Sequence, residues 1–367
     1  MRGVHVVVPD GVDDPADPSG GNVYDRRVCR GLADLGWAVR EDVVAREPRP
    51  GATGARGRVE DPAPALAQVL ARVPAGRVVL VDGLVGSDRP EVLGPESGRL
   101  RLVVLVHLPR GVGGSARVRR GESAALREVA GVVATSRWSR RWLLDTYGLD
   151  PARVAVATPG VDLADVGGGS RAGNRLLCVG ALVRAKGQDD LVEALADLVR
   201  EDWCCDLVGP LKRDPQFADR VSRRARERGI GHRVRLLGPL TGAALDAAYA
   251  RADLLVTASR RETYGMVLTE ALARGIPVVA TRVGGQPEAL GWVPGQGRPG
   301  VPGQRRPGIL VPVDDPAALG VALGRWLADG ALRRRLRQAA LARRGTLRPW
   351  SATTDDVARA LTAAACA

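Results

Sequence analysis

The chain has 367 residues, 45% of them hydrophobic and only 3% aromatic, enough for two domains with cores built from Val, Leu and Ala. Its formal net charge is +13, but the basic residues are nearly all Arg in an Ala-, Gly- and Pro-rich background of the kind a GC-rich genome produces. No basic block is interleaved with the aromatics that a stacking groove needs, so specific nucleic-acid binding is not expected.

The opening "MRGVHVVVPD" reads as a first strand that ends in Pro-Asp, not as a signal peptide. No apolar run reaches the ~18 residues of a membrane span. Five scattered cysteines with no C-x-x-C fit reduced thiols and a cytoplasmic setting. After the first strand, "PSGGNVYDRRVCRGL" opens a helix over 22–36. Gly20 and Gly21 at its start let backbone N–H groups approach an anion, or form an ordinary strand–helix turn. The spacing is not G-x-G-x-x-G, so no dinucleotide fingerprint is present. Residues 47–64 are Pro/Gly-rich and predict a mobile loop.

Strands follow at 77–83, 101–109, 131–136 and 153–160, with a helix at 137–147. His107 ends "LVVLVHLP", at the carboxyl edge where ligands bind in open α/β sheets. His5, inside a strand, and His232, in a turn, are not so placed. The segment 110–142 is Arg-rich and carries Trp138 and Trp142. It reads either as a solvated face with buried Trp or as a peripheral contact with an anionic membrane. "LADVGGGSRAGN" then predicts a flexible hinge.

A second series runs "RLLCVGAL", helix 188–199, "WCCDLVG", helix 215–229, "RVRLLGPL", helix 242–250, "ADLLVTAS", a Glu-bearing helix, "GIPVVAT", "GILVPVDD" and helix 316–345. A second Pro/Gly-rich loop interrupts it at 291–308. The chain holds only two lysines, Lys186 and Lys212, and Lys186 follows the first strand of this series beside Arg184. Two cations before a helix start suit a diphosphate. Gly284 and Gly285 make a strand-end turn.

In "RETYGMVLTEALARGIPVVAT" the helix starts near Gly265 and Met266, stops at Gly275, and carries Glu270; Glu262 lies in the loop before it. Eight residues of helix rise about 12 Å. Two carboxylates flanking one scissile bond sit roughly 5–9.5 Å apart. The pair therefore reads as two grips on one elongated ligand, with a helix N-terminus between them as an anion seat. The plainer reading is a cap and a solvated acid. No His/Cys cluster has metal-ligand spacing, and the Asp-Asp pairs at 13–14, 189–190 and 314–315 read as caps, so neither metal nor resident cofactor is expected.

The segments "RETYGMVLTEALARGIPVVATRVGGQPE", "VGALVRAKG", "RVRLLGPL" and "GILVPVDDPAAL", in that family's order, resemble the retaining GT-B glycosyltransferases of family 4. The match covers most of 174–345; "SGGNVYDRRVCRGLADLGWAV", "VVATSRWSRR" and "ATPGVD" extend it more loosely. It implies two doubly wound Rossmann-like α/β domains facing a cleft. The first, 1–163 with 350–367 crossing back, would take the acceptor, and the second, 174–349, the nucleotide sugar. By resemblance Glu262 touches the donor sugar and Glu270 the ribose. Arg184, Lys186 and Gly21 hold the diphosphate, and His107 reaches the sugar near the reacting centre. Tyr264, Gly265, Met266 and Val267 line the donor seat with Gly20. The family often has Arg where Ala181 stands, a place Arg184 could take. The expectation is a metal-independent hexosyltransferase acting on a glycolipid, glycan or secondary metabolite. A sugar-nucleotide epimerase or hydrolase, or a non-catalytic sugar-nucleotide-binding protein, are the alternatives.

Overall fold

Alternating apolar runs and amphipathic helices yield two parallel six-stranded sheets in the computed structural model, which describes residues 2–45, 62–293 and 306–366. The Pro/Gly-rich stretches 47–64 and 291–308 lie outside these except at their ends, where a helix already begins at Pro62.

The first sheet has β1 (Gly3–Pro9), β2 (Ala38–Val44), β3 (Val78–Asp82), β4 (Arg101–Val106), β5 (Gly131–Ala134) and β6 (Val154–Val156), ordered β2-β1-β3-β4-β5-β6. β2 was not legible in advance: it is an edge strand, "AVREDVV", with little of its length buried. β3 is buried throughout, as a central parallel strand must be. The second sheet has β7 (Arg175–Val179), β8 (Cys204–Val208), β9 (Val234–Gly238), β10 (Leu254–Thr257), β11 (Val278–Thr281) and β12 (Gly308–Val311), ordered β12-β11-β10-β7-β8-β9. The strand order reverses between β1 and β3 in one sheet and between β7 and β10 in the other. At such a switch point the loops at the carboxyl ends of the strands diverge and leave a crevice.

By contact the chain forms two units: residues 1–13, 20–160 and 348–367, and residues 14–19 and 161–347. Each has apolar clusters on both faces of its sheet, dominated by Val, Leu and Ala. The helix Trp350–Ala365 is part of the first unit, where Val357, Leu361 and Ala364 pack with Val103, Leu105 and Val133.

Two expectations are corrected. The stretch 316–345 is two helices, Pro316–Ala328 and Gly330–Arg344, because the Asp329 side chain accepts hydrogen bonds from Ala331 N and Leu332 N and caps a new start. The Gly-rich hinge is pinned to the second unit: Ser170 Oγ donates to Asp253 Oδ2 at 2.7 Å, Arg344 donates to Ala164 O at 2.9 Å, and Arg337 holds Gly167 O. No helix among the described residues is long and apolar enough to cross a membrane.

Candidate functional site

In the second unit the site grows from the switch point between β7 and β10. The chain leaves β7 and makes one 3-10 turn, Arg184–Lys186. It then enters the helix Gln188–Ala196 through Gly187 at φ 65°, where a Cβ would stand 2.0 Å from Ala258 O. Only glycine fits there, so the lysine loop is clamped against the end of β10. The loop after β10 carries Glu262, and Lys186 Nζ donates to its Oε2 at 2.6 Å. Lys186 is 31% exposed and Glu262 15%, so the pair can be reached from solvent. Behind it, a Cβ on Gly284 (φ 53°) would lie 1.6 Å from Glu262 O, so the turn after β11 supports the glutamate from below.

Arg260 ties these loops together. Its guanidinium reaches Asp189 (2.7 Å), Asp190 (2.6 Å), Asp314 (2.7 Å) and Arg184 O (2.9 Å), while its backbone N–H donates to Ala185 O at 2.8 Å. Of the acid pairs read as caps, Asp315 does cap the helix Pro316–Ala328 through Ala318 N. Asp189, Asp190 and Asp314 instead converge on Arg260. Asp314 is the one non-glycine with positive φ (55°) among the described residues, a strained backbone held where an arginine binds it.

The helix Met266–Ala273 begins at Gly265 with no side-chain cap, which leaves its first N–H groups for a ligand. Met266 and Val267 are half-buried there, and Tyr264 is buried behind them. Glu270, also half-buried, accepts a 2.7 Å hydrogen bond on Oε2 from Tyr249, whose ring is fully buried. Burial raises the Glu270 pKa, while the Tyr249 hydrogen bond and Arg274 oppose the rise. The Arg184 side chain is exposed, and Ala181 is buried.

In the first unit the helix Gly20–Asp34 starts after β1, and a Cβ on Gly21 would sit 3.4 Å from the His107 ring. His107 directly follows β4. Its Nε2 lies 2.8 Å from Asp25 Oδ1, one turn into that helix, and 3.5 Å from Asp82 Oδ2 at the end of β3. Tyr24 meets the imidazole edge-on at 5.2 Å and Trp350 at 5.8 Å. Both aspartates have 2% exposed side chains and His107 13%. Burial works against an imidazolium, but the two carboxylates outweigh it and push the His107 pKa up to about 10. Burial raises Asp25 to about 7. Asp82 is held low despite burial, by His107, by Asp25 and by Leu84 N–H.

Among the described residues these three form the one group in which three side chains of metal-ligating type bring donor atoms within 4.8 Å of one another. The 2.8 Å Nε2–Oδ1 separation is that of a charge-assisted hydrogen bond, and we assign no ligand set here.

The residues expected from the sequence thus form two groups. Lys186, Glu262, Gly265, Met266, Val267 and Glu270, with Tyr264 behind, line the carboxyl edge of one sheet. Gly20, Gly21 and His107 line that of the other. Asp25, Asp82, Arg260 and Tyr249 were not foreseen. Asp82 shares the strand-end position that singled out His107, and that signal could have found it. Trp138 and Trp142, the residues of the membrane reading, are half-buried, and Trp142 lies edge-on to Tyr147 at 5.1 Å.

Residues 170–343 match the family described as Glycosyl transferases group 1, and residues 18–165 match Glycosyltransferase Family 4. A D-inositol 3-phosphate glycosyltransferase of Kineococcus radiotolerans is 35% identical over 254 residues, 64% of this chain and 57% of that protein. One of Catenulispora acidiphila is 34% identical over 286 residues, 71% of this chain and 64% of that protein. The chain therefore spans little more than half the length of these relatives. Among solved structures, sucrose-phosphate synthase of Thermosynechococcus elongatus superposes with a TM-score of 0.75 at 22% identity, covering 98% of each chain. Anabaena Alr3699/HepE, in complex with UDP and glucose, superposes at 0.74 and 18% identity, covering 99% of this chain and 100% of that one. At such identities the likeness is one of fold.

Proposed function

This chain belongs to the glycosyltransferase group 1 family of GT-B fold, and on that premise we propose that it moves a sugar from a nucleoside-diphosphate donor to an acceptor hydroxyl with retention at the anomeric carbon. The observation that carries the reading is the Lys186–Glu262 pair at the β7/β10 switch point, beside the uncapped start of the helix Met266–Ala273. A cation, a carboxylate and a row of free N–H groups suit, in turn, a diphosphate, sugar hydroxyls and a second phosphate oxygen. Lys186, with Arg184, would stabilise the charge that grows on the departing diphosphate. Glu262 would orient the sugar, and Glu270 would accept the ribose hydroxyls.

In the reaction the acceptor oxygen bonds to the anomeric carbon, the bond from that carbon to the diphosphate oxygen breaks, and the acceptor proton goes to the diphosphate. No side-chain nucleophile and no metal are needed in this scheme. By resemblance to the family, the strand-end turn at Gly20 and Gly21 would bind phosphate through backbone donors, and His107 would bind sugar. The first unit would take the acceptor. The activity named for the relatives makes a phosphorylated polyol the first acceptor to try, with glycolipids and small metabolites after it. The arginines of residues 110–142 would give a salt-sensitive affinity for anionic vesicles, which co-sedimentation measures.

The test is a screen of nucleotide sugars against these acceptors, read by mass spectrometry. A glycosylated acceptor supports the proposal. Free or isomerised sugar in its place, or binding without turnover across the panel, overturns it in favour of a hydrolase, an epimerase or a binding protein.

A further inference from the structure

We propose that Asp25 and Asp82 are positioning residues that hold His107 as an imidazolium, with Nε2–H committed to the carboxylates and Nδ1–H left as the donor it presents. The inference rests on the proposed transfer reaction for its purpose, but not for its test.

Asp25 Oδ1 takes the His107 hydrogen bond at 2.8 Å, and Asp82 Oδ1 takes Leu84 N–H at 2.5 Å. That leaves Asp25 Oδ2 and Asp82 Oδ2 buried without a hydrogen-bond partner. Two bare carboxylates side by side in a 2% exposed site are costly, and a neutral imidazole would leave both charges uncompensated. A protonated His107 supplies one positive charge, and a proton carried by Asp25 removes the other excess. The group is then neutral, with one imidazolium, one carboxylate and one carboxylic acid. The directions of the shifts agree: His107 up, Asp25 up, Asp82 down.

The groups facing the imidazole come from two elements. Asp25 and, edge-on, the neutral Tyr24 come from the helix Gly20–Asp34, and Asp82 comes from the end of β3. Thr135, after β5, meets only the His107 carbonyl, donating to it at 3.2 Å. A Cβ on Gly21 would meet the ring at 3.4 Å, so the glycine leaves that side of the imidazole without a side chain against it. Nδ1 has no hydrogen-bond partner among the described residues. A histidine fixed this way does not take a proton from an acceptor hydroxyl. It is a charged donor at the β1/β3/β4 strand ends, suited to a sugar hydroxyl or a phosphate oxygen. For the proposed reaction this removes His107 as a base and leaves the diphosphate as the proton's destination.

The sequence contains three histidines, so their imidazoles can be followed individually by long-range proton–nitrogen NMR on labelled protein. One set of signals, absent in His107→Gln, is expected to keep the doubly protonated pattern up to about pH 9, well past the ordinary midpoint near 6.5. Asp25→Asn should lower that midpoint by about 1–3 units, and Asp82→Asn should lower it by less. Three imidazoles that all titrate near 6.5 in the native protein overturn the proposal without any variant having to fold. So does an Asp25→Asn midpoint that stays where it was.

Where transfer activity is found, kcat/KM for the donor should be level on the alkaline side up to about pH 9 and should gain an alkaline fall in Asp25→Asn. A merely structural role for Asp25 would lower activity equally at every pH. If no transfer is found with any donor, the proposed function fails while the NMR result still decides the state of His107.

Discussion

Tyr249 donates its phenol to Glu270 Oε2 at 2.7 Å from a fully buried ring, so one oxygen of that carboxylate is occupied. The glutamate sits on the helix Met266–Ala273 and the tyrosine on Gly242–Arg251, and the bond fixes the rotamer of one against the body of the other. Tyr249→Phe keeps the packing and removes the bond. It should weaken nucleoside-diphosphate binding by about 1–2 kcal/mol, roughly five- to thirtyfold in Kd by calorimetry, with little loss of melting temperature. Because burial already raises Glu270, the deficit should widen as pH falls, when the carboxylate protonates first in the variant. Unchanged affinity would mean that Glu270 does not touch the ligand.

Lys186 is paired with Glu262 without any phosphate, and two variants separate diphosphate binding from turnover. Lys186→Ala should cut turnover by roughly 10²–10³, the scale of one lost transition-state charge contact. Glu262→Gln should tighten nucleoside-diphosphate binding by about threefold, because the ammonium no longer shares its charge, yet turnover should fall with the loss of sugar orientation. Calorimetry and initial rates on the same preparations separate the two effects. Weaker diphosphate binding in Glu262→Gln would show that the pair acts as one unit.

Arg260→Met leaves Asp189 and Asp190, at the start of the helix Gln188–Ala196, and Asp314, after β12, to repel one another. Two of the acids are well exposed, so the loss of stability should be moderate, about 1.5–3 kcal/mol by denaturant titration. Turnover should fall further than stability, because Arg260 also holds Arg184 O beside the lysine. An active variant of wild-type kinetics would show that the loops keep their places without it.

Stability should depend on pH through His107. Its pKa is about 10 in the fold against an ordinary 6.5, so the folded state holds this proton more tightly than the unfolded chain. For a raised base the contribution is complete below 6.5 and is lost as pH rises through about 10. Asp25, raised to about 7, works in the same direction at lower pH. The melting-temperature advantage of the native protein over His107→Gln should therefore be largest near pH 6 and shrink towards pH 10, about one transition wide. An advantage that grows with pH would contradict the charged state.

On the proposed reading a chelator should leave the transfer rate unchanged, since Lys186, Arg184 and helix N–H groups would meet the phosphate charge. Activity abolished by chelation and restored by Mg²⁺ or Mn²⁺ would place a metal in the reaction.

The helix carrying Glu270, the strand-end position of His107 and the lysine loop were legible in the sequence because each is written in local pattern. A Gly stop, a Pro, a β-branched run or a lysine in an arginine-rich chain can be read within a dozen residues. What was not legible is what crosses the fold. Asp25 and Asp82 stand 57 positions apart in the chain, and only the pairing of β3 with both β1 and β4 brings them to one imidazole. Asp314 reads as a cap beside Asp315 until β12 is placed at the sheet edge and the arginine after β10 reaches it. Tyr249 has no spacing signal at all. β2 escaped notice because an exposed edge strand needs no apolar run.

The helix Trp350–Ala365 belongs with the unit whose strands were made first. During synthesis, residues 161–347 emerge as one nearly uninterrupted stretch and can close their own sheet while still near the ribosome. The earlier residues cannot. Until Val357, Leu361 and Ala364 arrive, Val103, Leu105 and Val133 lack the helix that covers them, and Gly31 lacks the Thr354 side chain that lies against it. The order of completion is thus the reverse of the order of translation. The nascent first unit carries an open apolar trough for the time it takes to make the second, and in that interval it is most exposed to aggregation and to chaperones.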